Sequence, residues 1–176
     1  MNYRASLIGK QLIKKFEKCI LKAYKHKGDR WTIGWGNTFY EDGTPVKEGD
    51  VITKERADRL FNNVLSMFEN DVNFLLSSTV VKQWQFDSLV SFAYNVGSDI
   101  DQDLKPEGLG DSTLLKLVKK NPNNPMIRNE FMKWTSPGSA FENGLRIRRK
   151  EEADLYFNLT YTQRMQEIKA EVINRT

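Results

Sequence analysis

One stretch of the sequence, residues 31–49, departs from the helical pattern that runs through most of the chain. Aromatic and β-branched residues there are interrupted by four glycines and a proline: Gly34, Gly36, Gly43, Pro45 and Gly49. The dipeptide Asp42-Gly43 is typical of a hairpin turn, because both residues tolerate a positive φ angle. We therefore predict a small antiparallel β-sheet over this stretch, forming one wall of a cleft.

Elsewhere, apolar residues recur at the three-and-four spacing of amphipathic helices. This spacing predicts a first helix over residues 6–24 and, after a cap at Thr53, a long helix that spans two lobes. A polar loop is expected over residues 98–111. Further helices are predicted around residues 84–96, after Ser112, from Asn124 to about Trp134, and over residues 144–158. The pattern as a whole indicates an α+β protein that is mainly helical.

Composition narrows the class of protein. With 176 residues, 39% of them hydrophobic, the chain can fill the core of one domain. Cys19 is the only cysteine and His26 the only histidine, so neither an internal disulfide nor a metal site of standard spacing is expected. We therefore expect no cofactor. No apolar run approaches ~18 residues, so membrane insertion is not expected either.

Glu17 stands out in the predicted first helix. At 100° per residue it falls between Ile13 and Leu21, inside the apolar stripe, whereas the lysines take the opposite side. Partial burial disfavours the charged form of a carboxylate, and a general acid must hold its proton. A structural role also fits this position, since ion pairs place carboxylates beside cores. Helical position alone leaves both interpretations open.

Six sequence fragments decide between them, because they occur in the order and spacing of the phage-type lysozymes, the muramidases of glycoside hydrolase family 24. The chain resembles this family over roughly residues 7–158. The fragments are Phe16-Glu17, Ala23-Tyr24, the segment 31–38, the segment 92–97, the segment 112–115 and the segment 144–153. The resemblance implies a two-lobed lysozyme-like fold, with a small antiparallel sheet in the N-terminal lobe and a helical C-terminal lobe. It places the catalytic domain at residues 1–159, followed by an extension at 160–176 that we expect to be helical.

The resemblance also assigns roles to individual residues. Glu17 is similar to the family's catalytic acid, and Thr32 to the threonine that helps to hold the attacking water. Arg148, next to Arg149, resembles the arginines found near the catalytic glutamate. Tyr94, Asn95 and Thr113 match segments that contact the glycan, although Asn95 also fits a simple cap at its helix end near Gly97.

His26 departs from the family, which usually has an aspartate at this position. A neutral imidazole can accept a proton from water but supplies no negative charge to the transition state. Asp29, three residues further on, could supply the missing carboxylate. Alternatively, His26 is a solvated loop residue and the chain is a slow or inactive relative. All three interpretations remain open at the level of sequence.

The implied activity is inverting hydrolysis of the β-1,4 bond between N-acetylmuramic acid and N-acetylglucosamine in bacterial peptidoglycan. The alternative is an impaired glycan-binding or regulatory relative. A net charge of +4 favours encounter with polyanions such as those of the bacterial envelope, while the lack of a nucleic-acid-binding motif argues against nucleic acid. Without a secretory signal pattern, we expect the protein in the cytoplasm of the producing cell, from which it reaches the wall by holin-type release. We expect it to be a monomer.

Overall fold

The computed structural model describes residues 2–25, 30–101 and 107–159. The predictions for His26, Asp29 and the C-terminal extension 160–176 lie outside these residues. Within the described ranges the chain forms six helices and two strands: α1 (Leu7–Phe16), β1 (Ile20–Tyr24), β2 (Thr32–Gly34), α2 (Lys54–Leu76), α3 (Gln83–Val96), α4 (Thr113–Lys120), α5 (Ile127–Met132) and α6 (Glu142–Tyr156). The expected class, mainly helical with a small antiparallel sheet, is confirmed.

The first helix is shorter than its apolar spacing predicts. It ends at Phe16, and the second half of the predicted helix forms β1 instead. The backbone of this segment bonds to a distant part of the chain: Ala23 N–H donates to Asp50 O over 2.8 Å, and Ile52 N–H donates to Leu21 O over 2.9 Å. Such long-range pairing overrides the weak helical preference of five residues. The prediction of a continuous helix over 6–24 was therefore wrong.

The two strands form an antiparallel sheet. Ile20 lies opposite Gly34 and Tyr24 opposite Thr32, with an irregularity in the pairing between these two pairs. An isolated bridge between Phe39 and Pro45 extends the β structure into the predicted stretch. The sheet thus pairs a strand of the predicted stretch, β2, with β1, which the apolar spacing had predicted to be helical.

The hairpin turn predicted at Asp42-Gly43 is present. Gly43 has a φ of +80° and donates its N–H to Tyr40 O over 3.0 Å. Asp42 accepts the N–H of Thr44 at 2.9 Å and its hydroxyl at 2.7 Å. A side chain that bonds its own turn in this way explains why Asp-Gly is a reliable turn signal.

Two compact units divide the chain. The sheet unit comprises residues 13–67, and the helical unit comprises residues 1–12 with 68–176, so both boundaries fall within helices, α1 and α2. The sheet unit has its own small core, built from Ala23, Ile33, Val46, Ile52, Ala57 and Leu60. In the helical unit α3 is buried along most of its length, and the ring of Phe92 meets that of Phe131 edge-on at 5.5 Å.

Two predicted helix caps are confirmed. Thr53 Oγ1 accepts the N–H of Arg56 at 3.2 Å, ahead of α2. Ser112 Oγ accepts the N–H of Leu115 at 3.0 Å, ahead of α4. Each bond satisfies a donor that the first turn of a helix leaves without a partner. None of the described helices is both long and apolar enough to cross a membrane.

Candidate functional site

Glu17 is the first residue after α1 and not a member of the helical stripe. Its N–H still donates to Ile13 O over 3.0 Å, so the backbone is held by the last turn of the helix. The residue is half-buried in the sheet unit. Leu21, its predicted neighbour in the stripe, is 37% exposed on β1. The partial burial expected for Glu17 is therefore present, but it arises at a helix end and not within a helix.

The turn after β2 lies directly against the Glu17 carboxylate. Gly36 has a φ of +92°, and a Cβ added to it would lie 3.3 Å from Glu17 Oε2. A side chain at this position would therefore be strained and would press on the carboxylate. Glycine permits the close approach, and this gives a local reason for the Gly-Trp-Gly sequence over residues 34–36.

Tyr24 and Thr32 occupy opposite positions on β1 and β2. Directly opposed residues of an antiparallel pair project their side chains to the same side of the sheet. Thr32 is half-buried, and its hydroxyl donates to Arg30 O over 3.2 Å. Burial raises the pKa of Tyr24, and the negative charge of Glu17 raises it further. Glu17, Tyr24 and Thr32 therefore belong to one neighbourhood of the sheet unit.

Tyr24 and Gly36 were missed as site residues by sequence reasoning. In the sequence, Tyr24 stands out only as part of a family fragment, and Gly36 only as one of the glycines that interrupt residues 31–49. No local signal marks Tyr24, because residues 20–24 show no strict alternation of apolar and polar residues and the burial along β1 is irregular. His26 and Asp29 lie between the two strands in sequence, in the segment outside the described residues.

Asp58 supports the turn that lies against Glu17. It accepts hydrogen bonds from Lys14 and Lys54 at 2.6 Å and from the indole nitrogen of Trp35 at 2.8 Å. Partial burial by itself would raise the pKa of Asp58, but these three hydrogen bonds outweigh it and lower the pKa to about 2. The Lys14 ammonium also lies 4.7 Å from the centroid of the Trp35 ring. Trp35 is thus fixed by charge and by hydrogen bonding immediately before Gly36.

Asn95 lines a cavity of about 470 Å³ in the helical unit. Its side-chain oxygen accepts a hydrogen bond from the guanidinium of Arg149, which also donates to Trp134 O over 3.0 Å. Gly97, with a φ of +103°, closes the helix end by donating to Ala93 O. The capping role therefore falls to Gly97. The cavity is lined by Asn95, Val96, Lys133, Trp134, Ser136, Pro137, Leu145 and Arg149.

Trp134, Lys133 and Leu145 were not singled out from the sequence as site residues. Trp134 served only to mark a helix end, and no local motif distinguishes it from a core aromatic residue. The fold brings it to the cavity because α5 is followed by the Ser136-Pro137 break. Identifying these residues requires the packing of α3 against α6.

Arg148 and Arg149 form a buried ionic network with Glu152. Arg148 Nε lies 3.1 Å from Glu152 Oε1, Arg149 pairs with the other carboxylate oxygen, and Ser91 Oγ donates to Glu152 over 2.8 Å. Arg148 also donates to Ser91 O over 3.3 Å. These contacts tie α6 to α3, and the expected role of Arg148 beside Glu17 stays a prediction.

Tyr94 and Thr113 are placed differently from Asn95. Tyr94 is half-buried and packs on Phe68, with ring centroids 5.1 Å apart. Thr113 is exposed and begins α4. Neither lines the cavity beside Asn95. Their predicted contacts with a glycan stay predictions.

Three aspartates that the sequence analysis did not single out meet in the helical unit. One carboxylate oxygen each of Asp99, Asp101 and Asp111 lies within 4.8 Å of the other two. Asp99 also accepts N–H groups from Glu107, Gly108 and Asp111 at 3.1–3.3 Å. These bonds give Asp99 a structural role in folding the loop back on itself.

The chain is similar to known phage proteins. The family model for phage lysozyme matches residues 14–152. The endolysin of Bacillus phage B103 is 39% identical over 153 residues, which cover 86% of this chain and 53% of that protein. The chain thus spans about half the length of the Bacillus phage endolysins it matches.

Two solved structures share the fold. An endolysin from Escherichia coli O157:H7 phage FAHEc1 has a TM-score of 0.76 and 32% identity, covering 92% of this chain and 98% of its own. The muramidase domain of SpmX from Asticaccaulis excentricus has a TM-score of 0.72 and 31% identity, covering 88% and 97%.

Proposed function

The chain belongs to the phage lysozyme family, and from that premise we propose that it is a muramidase of the endolysin type. Its substrate is bacterial peptidoglycan, and the bond cleaved is the β-1,4 link between N-acetylmuramic acid and N-acetylglucosamine. Support for the activity comes from the names of its relatives, an endolysin and a muramidase domain. The proposal assigns the chemistry to the residues around Glu17.

The observation that carries the proposal is the approach of Gly36 to the Glu17 carboxylate. Any side chain at position 36 would press on the carboxylate, because a Cβ there would lie 3.3 Å from Oε2. A general acid needs an unobstructed path between its proton and the leaving oxygen of the substrate. A purely structural carboxylate has no such requirement.

In the proposed mechanism Glu17 donates its proton to the glycosidic oxygen. Thr32 holds the attacking water: its hydroxyl donates to Arg30 O, which leaves the hydroxyl oxygen as an acceptor for the water. A second group must take a proton from that water on the opposite face of the sugar. We assign this role to His26, with Asp29 as the alternative. The outcome is inversion at the anomeric carbon.

Sugar contacts are assigned to Tyr94, Asn95 and Thr113. Asn95 has the best support, because it lines a cavity of about 470 Å³ together with Trp134 and Arg149. Binding sites for small ligands combine aromatic walls with a few oriented polar groups. The bond from Arg149 leaves the amide NH₂ group of Asn95 as a donor for a carbonyl or hydroxyl oxygen. A crystal soaked with a chitooligosaccharide tests these contacts, and a bound sugar distant from all three residues would refute the assignment.

The second candidate is a glycan-binding relative with little catalytic power. His26 at the position of the family's usual aspartate favours it, since an imidazole cannot supply the negative charge that steadies an oxocarbenium-like transition state. This candidate predicts binding of peptidoglycan without lysis.

The decisive experiment compares lysis of a bacterial-wall suspension by the parent chain and by Glu17→Gln. The amide keeps the shape of the side chain but has no proton to give, so lysis should fall to background while the circular dichroism spectrum is unchanged. Release of new reducing ends at muramic acid, measured on the same samples, identifies the bond. Activity within about twofold of the parent would rule out Glu17 as the acid. A parent chain that binds walls but releases no sugar supports the second candidate.

The proposal also covers where the protein accumulates and how it reaches the cell wall. The chain accumulates in the producing bacterial cell as a monomer and reaches the wall when a holin opens the membrane. Expression with and without a holin tests this: lysis in the absence of a holin would contradict it.

A further inference from the structure

A second cavity, of about 440 Å³, lies in the helical unit between the end of α2 and α4. Its volume is within the range of pockets that hold small ligands. None of its lining residues has a proposed role in glycan cleavage. The residues that matter here are Phe74, Leu75 and Ser77 at the end of α2, and Leu115, Lys116 and Lys119 on α4.

Two exposed lysines line this cavity. Lys116 and Lys119 are one helical turn apart on α4, so their side chains project from the same face. The helix carries a third lysine, Lys120, and no acidic residue. Within the part of the chain that the structure describes, neither Lys116 nor Lys119 has a carboxylate within ion-pair distance. Two ammonium groups are therefore free to bind an external anion.

The lining also contains one carboxylate, that of Asp111. Asp111 is only 8% exposed, and one of its oxygens lies within 4.8 Å of carboxylate oxygens of Asp99 and Asp101. It lines the cavity from the polar loop over residues 98–111. Among the residues that line the cavity, the exposed charges are those of Lys116 and Lys119.

An aromatic ring and a hydroxyl group complete the lining. Phe74 is 62% exposed, although most aromatic rings of this chain are packed. Ser77 adopts a left-handed φ of 55° at the end of α2, where the helix stops. An apolar ring beside a hydroxyl and two ammonium groups suits a ligand that alternates carbon-bound hydrogens, hydroxyls and anions.

We propose that this cavity binds a phosphate-bearing polyol polymer of the bacterial envelope, at a site separate from the residues that cleave the glycan. The choice of an envelope polymer rests on the proposed function. Phosphodiesters are fully ionised at neutral pH and repeat along the polymer, so successive groups can engage Lys116 and Lys119. Ammonium groups bind phosphate oxygens through charge-assisted hydrogen bonds. The polymer would hold the enzyme at the wall between cleavage events.

The test is calorimetric titration of the full chain with poly(glycerol phosphate) at low salt. The double variant Lys116→Ala/Lys119→Ala should bind at least about tenfold more weakly, since two charge-assisted contacts are lost. The control variant, Lys47→Ala/Arg59→Ala, removes two exposed cations elsewhere on the chain. Both double variants lower the formal net charge from +4 to +2. The control should bind within about twofold of the parent. Phe74→Ala should weaken binding severalfold, and uncharged polyglycerol should not bind.

Equal weakening by both double variants would overturn the proposal, because it would show a response to net charge alone. Binding unaffected by Lys116→Ala/Lys119→Ala would overturn it as well. The titration requires no catalysis, so it also works with Glu17→Gln and separates this inference from the proposed activity. On walls stripped of phosphate polymer, Lys116→Ala/Lys119→Ala should lyse at the parent rate. On intact walls it should be slower, and equal rates there would contradict a role in wall attachment.

Discussion

Trp35 donates its indole N–H to Asp58 over 2.8 Å, and this bond fixes the residue that stands between Gly34 and Gly36. The same carboxylate binds the ammonium groups of Lys14 and Lys54. One aspartate on α2 therefore holds the turn that lies against Glu17. Its charge supports the candidate site without touching it.

Replacing Asp58 with Asn should lower the stability of the fold in a pH-dependent way. The pKa of Asp58 is about 2 in the folded chain, against an ordinary value of 3.8. Because the folded-state pKa is lowered, the stabilisation is full above about pH 4 and is lost as the pH falls through about 2. Asp58 is 37% exposed, so solvent screening limits the effect to about 1 kcal/mol at pH 7.

Urea unfolding at several pH values measures this effect. The difference between the parent and Asp58→Asn should shrink steadily from pH 4 to pH 2. Glu48→Gln, an exposed carboxylate on the same unit, serves as the control and should change little at any pH. A difference that is constant over this range would show that the charge of Asp58 does not contribute.

Gly36→Ala should impair lysis far more than it impairs folding. The new methyl group would lie 3.3 Å from Glu17 Oε2, and displacement of a catalytic group by a fraction of an ångström lowers rates by about tenfold or more. Gly43→Ala is the matched control, because its φ of +80° gives similar strain but nothing lies within 4 Å. Both variants should lose about 1 kcal/mol of stability, measured by thermal unfolding. Equal lysis by the two variants would contradict crowding of Glu17.

Glu152→Gln should destabilise the helical unit severely. Glu152 is fully buried between Arg148 and Arg149, and removal of one partner from a buried ion pair costs about 3–5 kcal/mol. For a chain of this length we expect a fall in Tm of roughly 10 °C. Glu142→Gln removes the carboxylate of an exposed pair with Arg146 and should shift Tm by only about 2 °C. Similar shifts in both variants would show that the buried network adds no stability.

His26→Asp should raise the rate of lysis and extend activity to lower pH. A histidine base is lost when the imidazole takes up a proton, near its ordinary pKa of about 6.5, whereas an aspartate stays ionised down to about 4. The pH–rate profile of the parent should therefore lose its acidic limb at higher pH than that of the variant. If His26→Ala and His26→Asp match the parent while Asp29→Asn is inactive, Asp29 is the second catalytic group.

Local signals in the sequence predicted local structure well. Thr53, Ser112 and the Asp42-Gly43 turn each bond to backbone within a few residues, so a short window contains their cause. The strand β1 could not be predicted in this way, because its backbone bonds reach Asp50 and Ile52 about thirty residues away. A short apolar run cannot be assigned to a helix or a strand by periodicity alone.

In the candidate site, too, local sequence signals predicted some features, whereas features that depend on long-range contacts were not predicted. Glu17 was predicted as a site residue because it belongs to a recognisable family fragment, but its position after the helix, and the positions of Tyr24 and Gly36 near it, depend on the pairing of β1 with β2. Asp58 carries no motif, and its bond to Lys14 joins residues 44 positions apart. Contacts of this kind arise from the folded chain and leave no periodic trace in the sequence.

Arg149 donates to Asn95 at the wall of a cavity and pairs with Glu152 in the core. In a mutational scan scored by clearing of bacterial walls, every substitution at Arg149 will therefore register as a loss of activity, whatever its effect on sugar binding. A parallel score for the amount of folded protein would separate Arg149 from Asn95, since only substitutions at Arg149 should reduce both readings. A mutational scan of this chain must therefore measure both wall clearing and the amount of folded protein before any arginine of α6 is assigned to the reaction.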